Sequence, residues 1–237
     1  MRIRRAEHDA LAVAAAFDVA LSDIAHRDRL PYREPEPLQT ALHPRLVSGE
    51  RARNDRVLFV GSNTAPNVVG LKWFIAEVWP RVRQASPGVE LHVAGWVARA
   101  APAPGEGVRL LGVVRSLRPH YAEAGVVISP LLTASGLKVK GVEALGAGKA
   151  VVGSSVSAQG VEEAVRGAMV VEDDPAAFAA AVIALLASPA DRQELCARAT
   201  NCARVHFARG RCYGPVVEAL RNARSDALAE VRAAASA

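Results

Sequence analysis

The sequence predicts an α/β domain built around a doubly wound parallel sheet, on three observations. Short apolar runs rich in Val and Leu alternate with segments whose apolar residues recur at helical spacing. Most of these runs are hydrophobic along their whole length, which is typical of strands covered on both faces. Gly, Pro or a turn-forming cluster closes each run. Six such strands in this order indicate a Rossmann-like domain spanning roughly residues 56–207.

The first strand is predicted at residues 57–61 (VLFVG), where a β-rich run ends at Gly and the cluster SNTAPN follows. Apolar side chains at helical spacing then predict a helix over residues 68–83, with Asn67 as its N-cap. Pro87 and the following Gly end that helix. A second strand is expected at residues 89–95 (VELHVAG), whose apolar residues alternate toward a core.

The middle of the chain continues the same alternation. Residues 108–114 (VRLLGVV) predict the third strand, and Ser116 is expected to cap a short helix over Tyr121. Residues 126–130 (VVISP) predict the fourth strand. It leads through a loop of small residues into a helix over residues 138–147, which the next glycine ends.

The last two strands are predicted at residues 150–153 (AVVG) and 168–171 (AMVV). After them the chain is rich in Ala and predicts about three helical segments, broken near Pro189 and near residues 210–215. The last segment is expected to form a C-terminal helix over residues 208–237.

The first 55 residues follow a different pattern. A helix-like stretch precedes FDVAL at residues 17–21, which predicts one strand. The stretch from Pro31 to Pro44, which includes four prolines, predicts an extended linker. Because one strand cannot form a domain, residues 1–55 are expected to be the remnant of a preceding domain plus a linker.

The composition excludes several classes of protein. With 51% hydrophobic and 22% charged residues, the chain is expected to fold. The apolar run at residues 10–17 is too short to span a membrane, which takes about 20 residues, and no signal peptide is recognisable, so a cytoplasmic protein is predicted. Few aromatics accompany the basic residues, which argues against a nucleic-acid binder. The spacing of Cys196, Cys202 and Cys212 matches neither a metal site nor a disulfide framework.

The lysines are distributed unevenly along the chain. The net charge of +5 comes from 29 basic and 24 acidic residues, yet only four of the basic residues are lysines. Lys138, Lys140 and Lys149 fall within twelve residues. The first two open the helix after the fourth strand, where the partial positive charge of the helix N-terminus disfavours cations. A bound anion would account for both, whereas Lys149 is expected to complement the C-terminus of the same helix.

Exposed backbone amides, a helix dipole and two lysines together indicate a phosphate site. Ser135 and Gly136 belong to the loop of small residues before the helix, where backbone can approach a ligand closely. Glu143 shares a helical face with Lys140, and its carboxylate would suit the hydroxyls of a ribose. These residues match the two ends of a nucleoside diphosphate. The alternative is a surface Lys–Glu pair worth only a few tenths of a kcal/mol.

The loops at Gly61 and Pro130 are where this chemistry is expected, because ligands of doubly wound sheets bind where the strand order reverses. The first loop lacks both G-x-G-x-x-G and the G-K-[ST] ending of a P-loop, which argues against a dehydrogenase and an NTPase. Ser62 could offer its hydroxyl to a phosphate or a sugar.

The order FVGS, VWP, AG, VVISPL and, over residues 136–152, G-x-K-x-K-x-x-E-A-L-x-A-G-K-x-V-V resembles a known family. It is similar to the C-terminal, nucleotide-sugar-binding half of the GT-B-fold glycosyltransferases of family 4 (group 1). The resemblance implies that Lys140 binds the donor's phosphates and that Glu143 binds the ribose. It also implies that Val114 borders the nucleobase.

The same resemblance implies further donor contacts. Gly61 and Ser62, with the amides of Gly136 and Leu137, would face the diphosphate and the sugar, and Lys138 would assist Lys140. Ser135, also expected at the donor, stands where many members have the first of two glutamates. FDVAL is similar to the last strand of the family's acceptor domain, so residues 1–55 would be its remnant.

The sequence therefore predicts the donor-binding half of a retaining glycosyltransferase that uses a UDP-, GDP- or ADP-sugar and no metal or other cofactor. No catalytic base is assigned to any of the six histidines. The alternatives are a nucleotide-binding module that does not turn over alone and a GT-B-fold sugar-nucleotide epimerase. A separate acceptor-domain subunit or self-association is expected, and peripheral membrane contact is compatible with the sequence.

Overall fold

A parallel six-stranded sheet organises the described part of the chain. The computed structural model describes residues 55–102, 105–134, 138–208 and 211–212. The strands are β1 (Arg56–Val60), β2 (Glu90–Ala94), β3 (Val108–Gly112), β4 (Val126–Ser129), β5 (Val151–Gly153) and β6 (Val170–Val171). Their order is β3-β2-β1-β4-β5-β6, and every neighbouring pair is parallel. The predicted doubly wound, Rossmann-like sheet is confirmed.

Helices connect the strands and cover the sheet. They are α1 (Ala65–Trp73), α2 (Trp79–Ala85), α3 (Arg118–Glu123), α4 (Val139–Gly146), α5 (Ser155–Ala158), α6 (Glu162–Val165), α7 (Pro175–Ala187) and α8 (Pro189–His206). A π-helical segment, Phe74–Val78, lies between α1 and α2, and a 3₁₀ helix, Trp96–Arg99, follows β2. Within the described ranges, none of the helices combines the length and apolarity needed to cross a membrane.

Alternate residues of β1 enter two different hydrophobic cores. Val57 and Phe59 belong to a cluster that includes Phe178 of α7, whereas Leu58 and Val60 belong to a second cluster that includes Tyr121. Successive side chains of a strand point to opposite faces, so the two clusters are the two covered faces of the sheet. This explains why β1 is hydrophobic at each of these four positions.

The predicted helix over residues 68–83 differs from the structure in two respects. The helix starts earlier, at Ala65, with Thr64 as its N-cap, so the assignment of Asn67 as N-cap was wrong. It is also interrupted by the π-helical segment before Trp79. Pro80 accounts for the interruption, because proline has no N–H to donate to the preceding turn and its ring displaces that turn's carbonyl.

Other boundaries move by a few residues. β3 ends at Gly112, whose φ of 65° turns the chain out of the sheet, so residues 113 and 114 lie in a loop. The N-cap of α3 is Leu117, while Ser116 Oγ accepts a hydrogen bond from the Arg118 N–H at 3.3 Å. α4 begins at Val139. α5 and α6, between the last two strands, were not predicted.

Some predictions fall outside the described residues. These are the helix and strand expected before residue 55, most of the C-terminal helix expected over residues 208–237, and the three loop residues 135–137. Chain contacts place all the strands and helices named above in a unit ending at Phe207, while Ala208 belongs to a second unit. In that second unit, the N–H groups of Arg211 and Cys212 donate to the Ala208 carbonyl. The division of the chain at residues 55 and 207 stays a prediction.

Candidate nucleotide-sugar site

The strand order reverses between β1 and β4. From β1 the chain builds the sheet outward to β3, and from β4 it builds in the opposite direction to β6. The loops after β1 and β4 therefore leave the sheet on opposite faces and open a crevice at its carboxyl edge. A cavity of about 450 Å³ lies there, lined by residues of both loops and of α4.

Asn67 organises the loop after β1. Its side-chain amide donates to the Ser62 carbonyl at 3.1 Å, and it lies 3.0 Å from both Ser62 Oγ and Thr64 Oγ1. Ser62, Thr64 and Asn67 all line the cavity. The residue expected to cap the helix instead holds two hydroxyls of the preceding loop at the edge of the cavity.

Gly61 is tied into the sheet edge. Its N–H donates to the Ala94 carbonyl at 3.0 Å, and its carbonyl accepts from the Val97 N–H at 3.2 Å. The N–H of Gly95 in turn donates to the Gly112 carbonyl at 2.7 Å. The three loops that follow β1, β2 and β3 are thus joined by backbone hydrogen bonds, which fix the position of the Ser62 loop.

Two buried serines hold the loop after β4. Ser154 Oγ donates to the Leu131 carbonyl at 2.5 Å and accepts from the Ser157 N–H at 3.2 Å. The Ser157 hydroxyl donates to the Ser129 carbonyl, which also accepts from the Ser154 N–H at 3.1 Å. These contacts connect the end of β4 to the start of α5 and so anchor the first residues of the β4 loop.

Ser154→Ala is expected to lower the free energy of unfolding by about 1 to 2 kcal/mol, because the Leu131 carbonyl loses its donor and α5 loses its cap. Urea unfolding followed by circular dichroism measures the loss. Ser155→Ala is the matched control, since Ser155 is exposed and its side chain caps nothing. Equal stability of the two variants would contradict the role given to Ser154.

The start of α4 presents positive charge to the cavity. Lys138 is its N-cap, and the first amides to bond to the Lys138 carbonyl are those of Gly141 and Val142. The amides of Val139 and Lys140 therefore belong to the set that a helix leaves for other acceptors. Among the described lining residues, Lys138 and Lys140 are the charged ones, and no carboxylate lines the cavity with them. This arrangement favours an anion.

The two lysines differ in their surroundings. Lys138 is buried, 7% exposed, and its amine donates to Gln159 Oε1 at 3.4 Å. Its charge also contributes to lowering the pKa of Glu162, although backbone hydrogen bonds from Gly160 and Glu162 itself are the main cause. Lys140 is half-exposed and lies 2.9 Å from Glu143 Oε2. Lys140 and Glu143 therefore share a helical face as expected, and they form the Lys–Glu pair that was the alternative to a ligand site.

Tyr121, on α3, was not anticipated as a site residue. It lines the cavity although it is only 5% exposed. Burial raises the pKa of Tyr121 well above its usual range, and the nearby charge of Glu143 raises it further. The phenol is thus held neutral beside a carboxylate. No ligand role was predicted for Tyr121, because a strand separates it in sequence from the helix that carries the lysines, and the fold brings the two to one cavity.

The predicted donor-binding residues are distributed as follows. Ser62, Lys138 and Lys140 line the cavity together, and Glu143 is joined to them through Lys140. Gly61 is not among the lining residues, and its backbone groups are hydrogen-bonded to β2 and to the 3₁₀ helix that follows β2. Val114 lies in the loop after β3, outside the lining. The remaining predicted residues, Ser135, Gly136 and Leu137, lie outside the described residues, between two segments that line the cavity.

Residues 54–188 match the family model described as "Glycosyl transferases group 1". A curated relative, the "Uncharacterized 44.6 kDa protein in cps region" of Klebsiella pneumoniae, is 26% identical over 154 residues, covering 60% of this chain and 40% of the relative. The chain therefore spans less than half the length of this relative.

Solved structures share the fold at low sequence identity. HepE of Anabaena, solved in complex with UDP and glucose, is 14% identical with a TM-score of 0.57, and the match covers 80% of this chain and 53% of HepE. The sucrose-phosphate synthase of Thermosynechococcus elongatus is 17% identical with a TM-score of 0.57, and the match covers 80% of this chain and 50% of the synthase. The chain spans about half the length of these proteins.

Proposed function

The chain belongs to the glycosyl transferases group 1 family, and on that premise we propose that it carries the donor-binding half of a family 4 enzyme. This enzyme transfers a sugar from a nucleoside diphosphate sugar to an acceptor with retention of configuration. The observation that carries the proposal is the positive charge of the cavity, where two lysines meet the N-terminus of α4 at the switch point of the sheet. A diphosphate is the part of the donor that this charge suits.

Each predicted site residue has a role in this proposal. Lys140 and Lys138, with the first amides of α4 and those of Gly136 and Leu137, bind the diphosphate. Glu143 accepts hydrogen bonds from the ribose, Val114 borders the nucleobase, and the Gly61–Ser62 and Ser135 loops face the diphosphate and sugar. The chemical step then depends on positioning the donor and on stabilising the charge of the departing nucleoside diphosphate. The two lysines and the helix dipole supply that stabilisation without a metal or another cofactor.

The acceptor site is proposed to come from protein beyond the described residues. The chain spans 40% of its curated relative, and no general base is assigned on it. A separate acceptor-domain subunit, or a second copy of the chain, would complete the enzyme. A second candidate function is a nucleotide-binding module that does not turn over alone. The partial coverage of the curated relative favours it equally, and it differs from the first in binding nucleotide without sugar transfer.

Titration of UDP, GDP and ADP into the purified chain, followed by calorimetry, tests the donor site. UDP is the first nucleotide to examine, because HepE, which shares the fold, was solved with UDP. Lys140→Met is expected to weaken binding about tenfold to a hundredfold, since charge-assisted hydrogen bonds to phosphate are lost. Glu143→Gln is expected to weaken it about tenfold through the ribose contact.

Matched variants control for general effects of charge. Lys72→Met removes an exposed lysine of α1 that does not line the cavity, and Glu163→Gln breaks an exposed Glu163–Arg166 pair with the same three-residue spacing. Both variants are expected to bind nucleotide as the wild type does. If none of the three nucleotides binds the wild type, the donor site is rejected. If Lys140→Met binds like Lys72→Met, the pair with Glu143 is only a surface contact.

A further inference from the structure

Tyr121 carries a hydroxyl that no described residue satisfies. Its ring belongs to the second core cluster, which also includes Ala144 of α4, and the residue is 95% buried. Yet among the described residues the hydroxyl has no hydrogen-bond partner, although buried polar groups are almost always paired. The described buried polar atoms with neither a partner nor solvent contact are Arg56 Nε, Arg83 Nε and His92 Nδ1. The Tyr121 oxygen is not among them, so it keeps some contact with solvent, and the residue lines the cavity.

The surroundings of this hydroxyl define what it can bind. It is held neutral by burial and by the charge of Glu143, so it keeps its proton and can donate a hydrogen bond. Glu143 lies close enough for its charge to act on the phenol, and its carboxylate can only accept hydrogen bonds when ionised. Lys140 holds the Glu143 carboxylate on the same side of α4.

A neutral donor beside an anionic acceptor is complementary to two neighbouring hydroxyl groups. One hydroxyl accepts from the phenol and the other donates to the carboxylate. A phosphate would satisfy the phenol but would be repelled by Glu143, and it is better placed at Lys138 and the N-terminus of α4. The ribose of the nucleotide supplies two such hydroxyls, at its 2′ and 3′ positions.

We propose that Tyr121 is a further donor-binding residue, whose hydroxyl donates to one ribose hydroxyl while Glu143 accepts from the other. The proposal rests on the donor site proposed above and assigns to Tyr121 the recognition of ribose over deoxyribose. Tyr121 and Glu143 then act as one diol clamp, defined by these two residues, between the base and the diphosphate.

The test compares Tyr121→Phe with the wild type against UDP, 2′-deoxy-UDP and 3′-deoxy-UDP, or the same series of GDP or ADP where that nucleotide binds more tightly. The variant removes one oxygen and keeps the ring in the core. Binding of the ribonucleotide is expected to weaken about fivefold to tenfold. For one of the two deoxy nucleotides, which already lacks the partner hydroxyl, the variant and the wild type are expected to bind equally.

A structural role for the hydroxyl would give a different pattern. It would lower the thermal stability of the free protein or weaken all three nucleotides by the same factor, and either result overturns the diol clamp. Unchanged binding of the ribonucleotide overturns it as well. If the wild type binds none of the ribonucleotides, the donor site and the clamp fail together. If the wild type binds a ribonucleotide and both of its deoxy forms equally tightly, the clamp alone is rejected.

Discussion

Gly95→Ala is expected to lower the free energy of unfolding by about 3 to 5 kcal/mol, the largest loss of any substitution considered for this chain. Gly95 has φ 100° and ψ −176°, a backbone conformation that is essentially restricted to glycine. An added Cβ would also lie 2.2 Å from the Gly61 carbonyl oxygen. Because this oxygen is backbone and is bonded to the Val97 N–H, it cannot rotate away.

Gly112→Ala is the matched control for Gly95→Ala. Gly112 ends the neighbouring strand, its carbonyl accepts from the Gly95 N–H, and its φ is also positive, at 65°. No atom lies within 4 Å of an added Cβ, so only the left-handed conformation is penalised, by about 1 to 2 kcal/mol. Urea unfolding of both variants measures the difference. Equal losses would mean that the close approach to Gly61 contributes nothing.

Gly95→Ala also connects the stability of the fold to nucleotide binding. Gly61 leads directly into Ser62, which lines the cavity, so relief of the clash by displacement of Gly61 would move the Ser62 loop. Any Gly95→Ala protein that still folds is therefore expected to bind nucleotide more weakly than Gly112→Ala. Calorimetric titration at a temperature where both variants are folded makes this comparison.

Burial on both faces made the strands predictable. β1 contributes alternate side chains to both cores, so its sequence is hydrophobic without interruption and marks a strand directly. Its end was less predictable. In β3 the apolar run continues through Val114, but pairing stops at Gly112, because a positive φ there turns the chain. A strand ends where its hydrogen-bond pairing stops, and the hydrophobic pattern of the sequence does not show where that is.

The lysines show what the sequence could and could not predict at the site. The preference for Lys over Arg around one helix predicted positive charge at the start of α4, and Lys138 and Lys140 line the cavity. Lys149 follows the end of α4, so its expected role at the helix C-terminus stays a prediction, whereas its burial was not predicted. Its side chain is 6% exposed, and burial, followed by the nearby charge of Arg192, lowers its pKa. Burial depends on the packing of α8, which the local pattern around Lys149 does not contain.

Contacts between distant parts of the chain account for the residues that the sequence missed. Ser154 and Ser157 bond to carbonyls more than 20 residues earlier, and Tyr121 shares a core cluster with Ala144 of α4. No role was predicted from the sequence for any of these three residues. The roles of the two serines follow from the parallel pairing of β4 with β5, which places the end of β4 beside the start of α5.

Gly70→Ala is expected to destabilise the protein by about 2 to 3 kcal/mol, although alanine is favoured over glycine in a helix by about 1 kcal/mol. Gly70 lies buried in α1, and an added Cβ would lie 2.3 Å from the Pro130 carbonyl oxygen and 3.0 Å from its carbon. Both are backbone atoms of the loop after β4. Helix propensity alone predicts that Gly70→Ala stabilises the protein. A loss of stability would therefore show that the close contact with the Pro130 carbonyl outweighs propensity.

Gly146→Ala provides the control for this sign. Gly146 ends α4, and no atom lies within 4 Å of an added Cβ, so the variant is expected to keep or raise the wild-type stability. Urea unfolding measures both variants, and stabilisation by Gly70→Ala would contradict the close packing of α1 on the β4 loop. Because Leu131 follows Pro130 and lines the cavity, the same displacement is expected to weaken nucleotide binding about tenfold, whereas Gly146→Ala leaves it unchanged. A loss of stability without a loss of affinity would show that α1 supports the fold but not the shape of the site.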